Sequence, residues 1–594
     1  MAMVCLCVQA QTSTFKYTAT EKLTRFEEIK YFVGAKSVIS HIFDEATGEG
    51  TVVYEGTVTA VGGYCLQFTY PLTSIVIPEG VTTIGFQAFK GCTHLTTIKL
   101  PKSLKETGGL TFEGCSGLAN GKLIVDDLAW WCSVNWGGPY STPLCYAKHL
   151  YSDEDTEITD LVIPEGVANV GAYAFYHCEG ITSVSLPSTL ESIGSNAFAN
   201  SGLKSVDIPV GLTTIGESAF RYCANLTSVT IPEGVETIGG SAFSKTGLTS
   251  LELPSTIRSM SQSFYGCEDL TTLTLKDGIT TLGGSFYSCT ALTSVNIPGS
   301  VKEVAYNDFS GCTGLATVTL NEGTEKVRFE GCTVLETINF PSTVKEVTIT
   351  GSTALQTVTL NEGVERINSF NECSALKQIN IPSTITYVGS FKNCNALEMV
   401  IVTDLASWCA ARHYDSNWYG PQKMAGKLYL GTVESNEEIT NLVIPEGVTK
   451  IADGAFSYMT GITSIVLPST LVKWENSAFY NCTGVEEVYC CANPVMLSWS
   501  GSENNFKEAK ATQMHVADAD AWTAKFPSAN VTFVGGLGDA NGDNKTDIAD
   551  VAELVNKLLD QPSATFNEVN ADVDGDGKVT VTDLEALVSI ILVK

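Results

Sequence analysis

Apolar and polar positions along this chain follow one phrase, written again and again. In full it runs Ile77-Pro78-x-x-Val81-x-x-Ile84-x-x-x-Ala88-Phe89-x-x-Cys92-x-x-Leu95-x-x-Ile98-x-Leu100-Pro101, and Leu100-Pro101 opens the next copy. Further copies begin at Ile163, Leu186, Ile208, Ile231, Leu253, Leu275, Ile297, Leu320, Phe340, Leu360, Ile381, Ile444 and Leu467, with an earlier start at Val53. Most starts lie 20 to 24 residues apart. A period in that range predicts a solenoid, whose units bury their apolar faces only by stacking on one another. Residues 95–100 predict a strand, because Ile98 and Leu100 alternate with polar neighbours. Pro101 has no N–H to donate, so the ladder ends there. Ala88-Phe89 falls on the return limb, where the ring fills the coil and the small Ala leaves room for it.

The interval stretches to 63 residues twice, from Leu100 to Ile163 and from Ile381 to Ile444. The two long segments are related. One holds Asp127-Leu128-Ala129-Trp130-Trp131-Cys132 and the other Asp404-Leu405-Ala406-Ser407-Trp408-Cys409. They predict longer coils rather than foreign domains. Trp130, Trp131, Trp136, Trp408 and Trp418 are five of the eight tryptophans, and Tyr140, Tyr414 and Tyr419 lie beside them. Two readings stand. The tryptophans fill a widened coil, or they form a contact surface, since Trp and Tyr dominate binding hot spots. The loop around Trp418 and Tyr419 is the stronger contact element, because loops carry recognition. Ordinary strand faces instead present small polar pairs such as Ser183/Ser185, Ser228/Thr230 and Thr317/Thr319.

Cysteine changes little. Eleven of the 19 follow the repeat Phe by three residues, from Cys92 and Cys115 to Cys394 and Cys482. Ser201, Thr246 and Met459 take the same slot elsewhere. Such free exchange predicts a ladder of buried thiols rather than disulfides or metal ligands. Cys490-Cys491 stands outside the ladder as a candidate for oxidation. Charge changes more. With 35 Lys+Arg against 65 Asp+Glu the net charge is −30, which argues against nucleic acid and anionic lipid as partners. No apolar run reaches the length of a membrane span. Residues 1–11, ending their apolar stretch in Val8-Gln9-Ala10, read as the remnant of a secretory signal and place the protein outside the cytoplasm. The six histidines are scattered, and no nucleophile, phosphate loop or recurring carboxylate pair suggests an enzyme.

The densest chemistry lies at the C-terminal end. Asp539, Asn541, Asp543, Lys545, Asp547 and Asp550 occupy positions 1, 3, 5, 7, 9 and 12 of a calcium loop. Asp572, Asp574, Asp576, Lys578, Thr580 and Asp583 repeat the pattern 33 residues later. The lysines contribute only main-chain carbonyls, and position 9 acts through water. Two calcium ions are expected. Each loop opens a predicted helix, at residues 551–559 and 584–592, and neither follows a helix of ordinary length. Residues 538–594 carry nine Asp and three Glu against four Lys, a net of −8, so folding should depend on the cation. Residues 535–538, Gly-Gly-Leu-Gly, read as a flexible linker.

The repeated phrase resembles the BspA-like, treponemal-type leucine-rich repeats of bacterial surface proteins, over roughly residues 53–484. The paired half EF-hands, closing on Asp550 and Asp583, resemble a dockerin over residues 538–594. Together they imply an α/β leucine-rich-repeat solenoid with a small all-α C-terminal domain. The organisation expected is a signal remnant (1–11), an N-terminal cap (12–52), the solenoid (53–484, longer units at 101–162 and 382–443), a C-terminal cap (485–535) and the calcium module (538–594). The resemblance implies a secreted or cell-surface protein adhering to host or microbial proteins or glycans. It also implies a cohesin-like partner read at loop positions 10 and 11, here Ile548/Ala549 and Val581/Thr582. These pairs depart from the hydroxyl pairs of many cohesin-binding dockerins, which argues against a standard cohesin. A non-catalytic spacer, recruited through the dockerin to a polysaccharide-handling assembly, is the alternative.

Overall fold

A computed structural model describes residues 11–413, 419–475, 477–499, 505, 506, 508–511, 513–527, 529, 531–543, 545–574 and 578–593. The chain forms two compact units, residues 1–301 with 306–313 and residues 302–305 with 314–594.

The first unit opens with an antiparallel cap. Strands β1 (Thr12–Ala19), β2 (Ser37–Asp44) and β3 (Glu49–Glu55) join β4 (Leu72–Val76) in a five-stranded sheet of order β2-β3-β1-β4 followed by Thr97–Lys99. Phe15, Phe26, Phe32 and Tyr54 close its core, with Phe15 edge-on to Phe32 at 5.3 Å and to Tyr54 at 5.8 Å. Val53, expected to open the first coil, lies inside antiparallel β3, opposite Thr14 and Ser40. Parallel stacking on this face begins one copy later, where Ile75 pairs with Ile98. The periodic spacing at Val53 is there, but the N-terminal strand competes for its hydrogen bonds and wins.

Most following coils have one strand on the polar face, such as Ser205–Asp207 beside Ser228–Thr230, and a second short strand before the return limb, such as Thr214–Ile215 beside Thr237–Ile238. The Phe rings stack from coil to coil. Phe175, Phe198, Phe220, Phe243 and Phe264 lie 5.1–5.3 Å apart with planes within 10°. Each return limb holds a residue at positive φ, including Asn196, Ser218 and Ser241 at 54° to 57°, where L residues are strained. The N–H of that residue donates to the next coil, as from Ser218 to the Gly240 carbonyl at 2.8 Å. Two residues before Asn196, Ser218 and Ser241 stands a glycine whose backbone touches the coil behind: a Cβ on Gly239 would sit 2.5 Å from the Glu217 nitrogen.

All seventeen described cysteines are free and buried. Most ladder thiols donate to the Phe carbonyl of the preceding coil, Cys115 to Phe89 at 3.0 Å, Cys223 to Phe198 at 3.1 Å and Cys482 to Phe456 at 3.0 Å. In the hydroxyl slots, Thr246 donates to the Phe243 carbonyl of its own turn and lies 3.2 Å from the Cys267 sulfur. Cys490 and Cys491 are buried as well, so neither offers a surface for oxidation.

In the second unit Phe456, Phe479 and Phe506 continue a stack at 5.6 and 5.1 Å. The sheet of its last coils ends with β5 (Glu487–Cys490), β6 (Gln513–Val516) and β7 (Thr532–Val534), all parallel.

Candidate functional site: the paired acidic loops and the aromatic inserts

The two long units each begin with a short capped helix. In α1 (Leu128–Ser133) the Asp127 carboxylate accepts from the Trp130 N–H at 2.9 Å; in α2 (Leu405–Ala410) Asp404 accepts from Ser407 at 2.7 Å. The conserved spacing then aims one indole inward. Trp131 donates to the Ala174 carbonyl at 2.7 Å and packs 4.5 Å from buried Trp136. Trp408 donates to Ala455 at 3.0 Å and meets His413 edge-on at 4.5 Å. These tryptophans are packing residues, which removes most of the expected contact surface. Trp418 and Tyr414 lie outside the described residues. Tyr419 is exposed, with the Lys392 ammonium 5.5 Å from its ring centre. Exposed aromatic rings in the first unit stand mainly on return turns, at Tyr64, Phe68, Phe86 and Tyr222. The sequence signal for the last was present: Tyr222 follows the repeat Phe220 by two residues, a position that faces away from the coil.

The acidic loops lie in the second unit. Earlier in the chain, between β6 and β7, α3 (Ala519–Lys525) packs Trp522 against Phe533 of β7 at 5.4 Å. The first loop leads into α4 (Ile548–Leu558), a short α5 (Glu568–Ala571) follows, and the second loop leads into α6 (Val581–Val593). Both long helices start three residues before the expected positions. The reason is that the loops' own side chains cap them: Asp547 and Asp550 form a reciprocal capping box at the start of α4.

The loops share one wiring. Asp550 accepts from the N–H of Asn541 (3.1 Å) and of Asp547 (2.7 Å); Asp583 accepts from Asp574 (3.0 Å) and Thr580 (2.7 Å). Position 12 is therefore tied to positions 3 and 9 in both. In the first loop, Asp539 and Asn541 both accept from the Asp543 N–H, and Asp543 accepts from Lys545. Asp539, Asp550 and Asp583 are buried. In the second loop Asp572, Asp574 and Asp583 each bring an oxygen within 4.8 Å of the others, while Asp576 lies outside the described residues. Burial, aided by Asp574 and Asp572, pushes Asp583 up to about 6; burial likewise raises Asp550, with Asp539 and Asp543 adding to it. Acids crowded until one resists ionising are a site that gains from a dication. The donors are hard oxygens without a sulfur or imidazole among them, the set that calcium prefers. The residues thus fit calcium, with Asp539, Asn541, Asp543 and Asp550 holding it in one loop and Asp572, Asp574 and Asp583 in the other. Such an ion would neutralise the cluster and lock both helix starts.

Loop positions 10 and 11 are open. Ile548 is 72 % and Val581 58 % exposed, and Ala549 and Thr582 are exposed beside them. The expected flexible linker is a correction. Leu537 N–H donates to the Val516 carbonyl at 3.3 Å and Gly538 N–H to Asn570 at 2.8 Å. The segment is bound on both sides, because its backbone completes groups on the last coil and on α5.

Among the described residues no helix is long and apolar enough to cross a membrane. No curated protein matches the chain. Among solved structures it is similar to a leucine-rich repeat protein of Bacteroides ovatus (27 % identity, 61 % of this chain and 88 % of that one, TM-score 0.44). It is also similar to a leucine rich cell surface protein of Faecalibacterium prausnitzii (22 %, 62 % and 88 %, TM-score 0.29) and to the pneumococcal vaccine antigen PcpA (18 %, 64 % and 94 %, TM-score 0.31). The family model for a Dockerin type I domain matches residues 537–592, and such domains bind calcium. The leucine-rich repeat and dockerin families are non-catalytic binding modules. The model for the BspA type Leucine rich repeat region matches residues 13–124, 149–263, 260–351, 325–411 and 433–497. That is most of the molecule, and the chain belongs to the BspA type leucine-rich repeat family, with a Dockerin type I domain at its C-terminal end.

Proposed function

We propose that this is a secreted or cell-surface binding protein that docks to a cohesin-like partner through a module holding two calcium ions, and adheres to a host or microbial protein or glycan through its solenoid. The observation that carries the docking half is the pair of exposed sites, Ile548/Ala549 and Val581/Thr582, each rooted on an equally wired acidic loop. An apolar residue held out at a helix start, beside a site that a cation would stiffen, is a pre-organised contact. Capture of the full chain on a panel of cohesins, with calcium and with EDTA, tests it. Calcium-dependent capture that is lost in Ile548→Asp/Val581→Asp is expected. No capture by any cohesin overturns the docking half and leaves adhesion.

The adhesion half rests on exposed aromatic rings, Tyr222 in the first unit and Tyr419 in the second. A screen of matrix proteins, mucins and glycans beside Tyr222→Ala and Tyr419→Ala variants checks it. The spacer reading is favoured by the strand faces, where small hydroxyl residues such as Ser228 and Thr230 offer no anchor. Silence in the screen together with cohesin capture would select it.

A further inference from the structure

The calcium module is built onto the last coils. Its core contains Leu554 of α4, Ala571 of α5, Leu587 and Ile590 of α6, Val573 between two acidic ligands, and Cys491 from the residue after β5. Tyr489 of β5 and Ala517 after β6 pack against the same cluster. The contact is close to the second loop in particular. The Cys491 thiol points at the carbonyl of Val573, 3.9 Å away, and Val573 sits between Asp572 and Asp574. Burial holds that thiol protonated, and Asp574 and Asp583 are among the charges that raise it further. Tyr489 is itself fixed, stacked on His515 at 4.9 Å and donating to Glu487 at 3.0 Å.

The joining segment tightens the arrangement. Leu537 is buried; its N–H binds β6's Val516, and its carbonyl accepts from Thr546 of the first loop at 3.0 Å. Gly538 has φ +80°, and a Cβ there would lie 2.7 Å from the Leu587 side chain. Coils of a solenoid bury their apolar residues only against neighbours. Here β6 and β7 stack beyond β5, and the acidic module with its leading segment covers Tyr489, Cys491 and Ala517 along the side of these last coils.

We propose that the calcium module is a lateral brace of the last coils, and that cation binding in the second loop and closure of those coils are one linked equilibrium. The inference rests on calcium occupying that loop. Val573 connects the two, because any shift of Asp572 and Asp574 toward an ion moves the backbone on which Cys491 rests. Linkage makes the effect reciprocal: whatever loosens the end of the solenoid weakens calcium by the same factor.

The test uses the full chain and calcium alone. Hydrogen exchange is followed over residues 485–535, and calcium affinity is read by calorimetry. Calcium is expected to slow exchange in that segment by about tenfold, within the usual range of coupling. Asp574→Asn should abolish that slowing, and Asp543→Asn in the first loop should keep most of it. Tyr489→Ala should leave the solenoid's far-ultraviolet spectrum unchanged and weaken calcium by about fivefold or more. Exchange over 485–535 that is equal with calcium and with EGTA, while calcium still binds, overturns the linkage alone. So does unchanged affinity in Tyr489→Ala. Failure to take up any calcium overturns both the linkage and the calcium reading beneath it.

Discussion

At the residue scale the coil tolerates exchange where only volume matters and resists it where the backbone leaves no space. Phe243 lies between Phe220 and Phe264 with parallel rings 5.1 and 5.3 Å away, so Phe243→Ala empties a fully enclosed site. A loss of about 3–5 kcal/mol is expected, read by chemical denaturation. Gly239→Ala has no such void, yet its new Cβ meets the Glu217 backbone at 2.5 Å, which cannot yield as a side chain would. That variant should cost about 1–3 kcal/mol by the same measurement. Cys267→Ser should be nearly silent, since Thr246 and Ser201 already place hydroxyls in this slot. Where the slot holds a donor, the carbonyl it serves is fixed by the coil. The exchange of Cys for Ser and Thr was readable in the sequence; the carbonyl was not, because it belongs to the coil before.

At the element scale the inserts are held by their first turn. Asp127→Ala or Asp404→Ala removes an acceptor from the start of α1 or α2 and should cost about 0.5–2 kcal/mol, read as a lower melting temperature. The second insert has a pH response of its own. Burial pushes His413 down to about 4, and its ring nitrogen donates to the Trp408 carbonyl at 3.1 Å. The unfolded chain would take up a proton near pH 6.5 that the folded chain refuses. The stability due to this histidine is therefore present above about 6.5 and is lost as pH falls toward about 4. His413→Gln should flatten that acid limb, measured by denaturation between pH 7 and 4. The Asp-Leu-Ala-x-Trp-Cys phrase announced a capped helix, but its sequence could not say whether the indole filled the coil or met a partner. The choice belongs to the Ala174 and Ala455 carbonyls, which stand more than forty residues away.

At the scale of the whole molecule the thiol ladder should set the alkaline limit. Burial raises Cys223 and Cys267 to about 11 and Cys178, Cys312 and Cys482 to about 12. A thiol that holds its proton more tightly when folded stabilises fully below its unfolded value of about 8.5, and that contribution fades as pH climbs toward the folded value. Each such group contributes a slope of up to about 1.4 kcal/mol per pH unit in that window. Stability should be flat to about pH 8 and fall steeply above about pH 9, with native thiols resisting alkylation until then. Denaturation at pH 7, 9 and 10, beside thiol labelling, checks this.

The sequence alone determined the solenoid, its period, its buried Phe and Cys columns and both acidic loops. Each of these is a local pattern: every coil repeats the same short-range alternation, and a calcium loop takes all its ligands from twelve consecutive residues. Tertiary structure decided what depended on distant partners. It turned Val53 into an antiparallel strand by supplying β1 as a competitor. It buried Trp131 and Trp408, and it drew residues 535–538 and the second loop onto Cys491 and Tyr489. Which surface meets which across eighty residues of chain is a matter of shape and burial, and no spacing along the sequence records it.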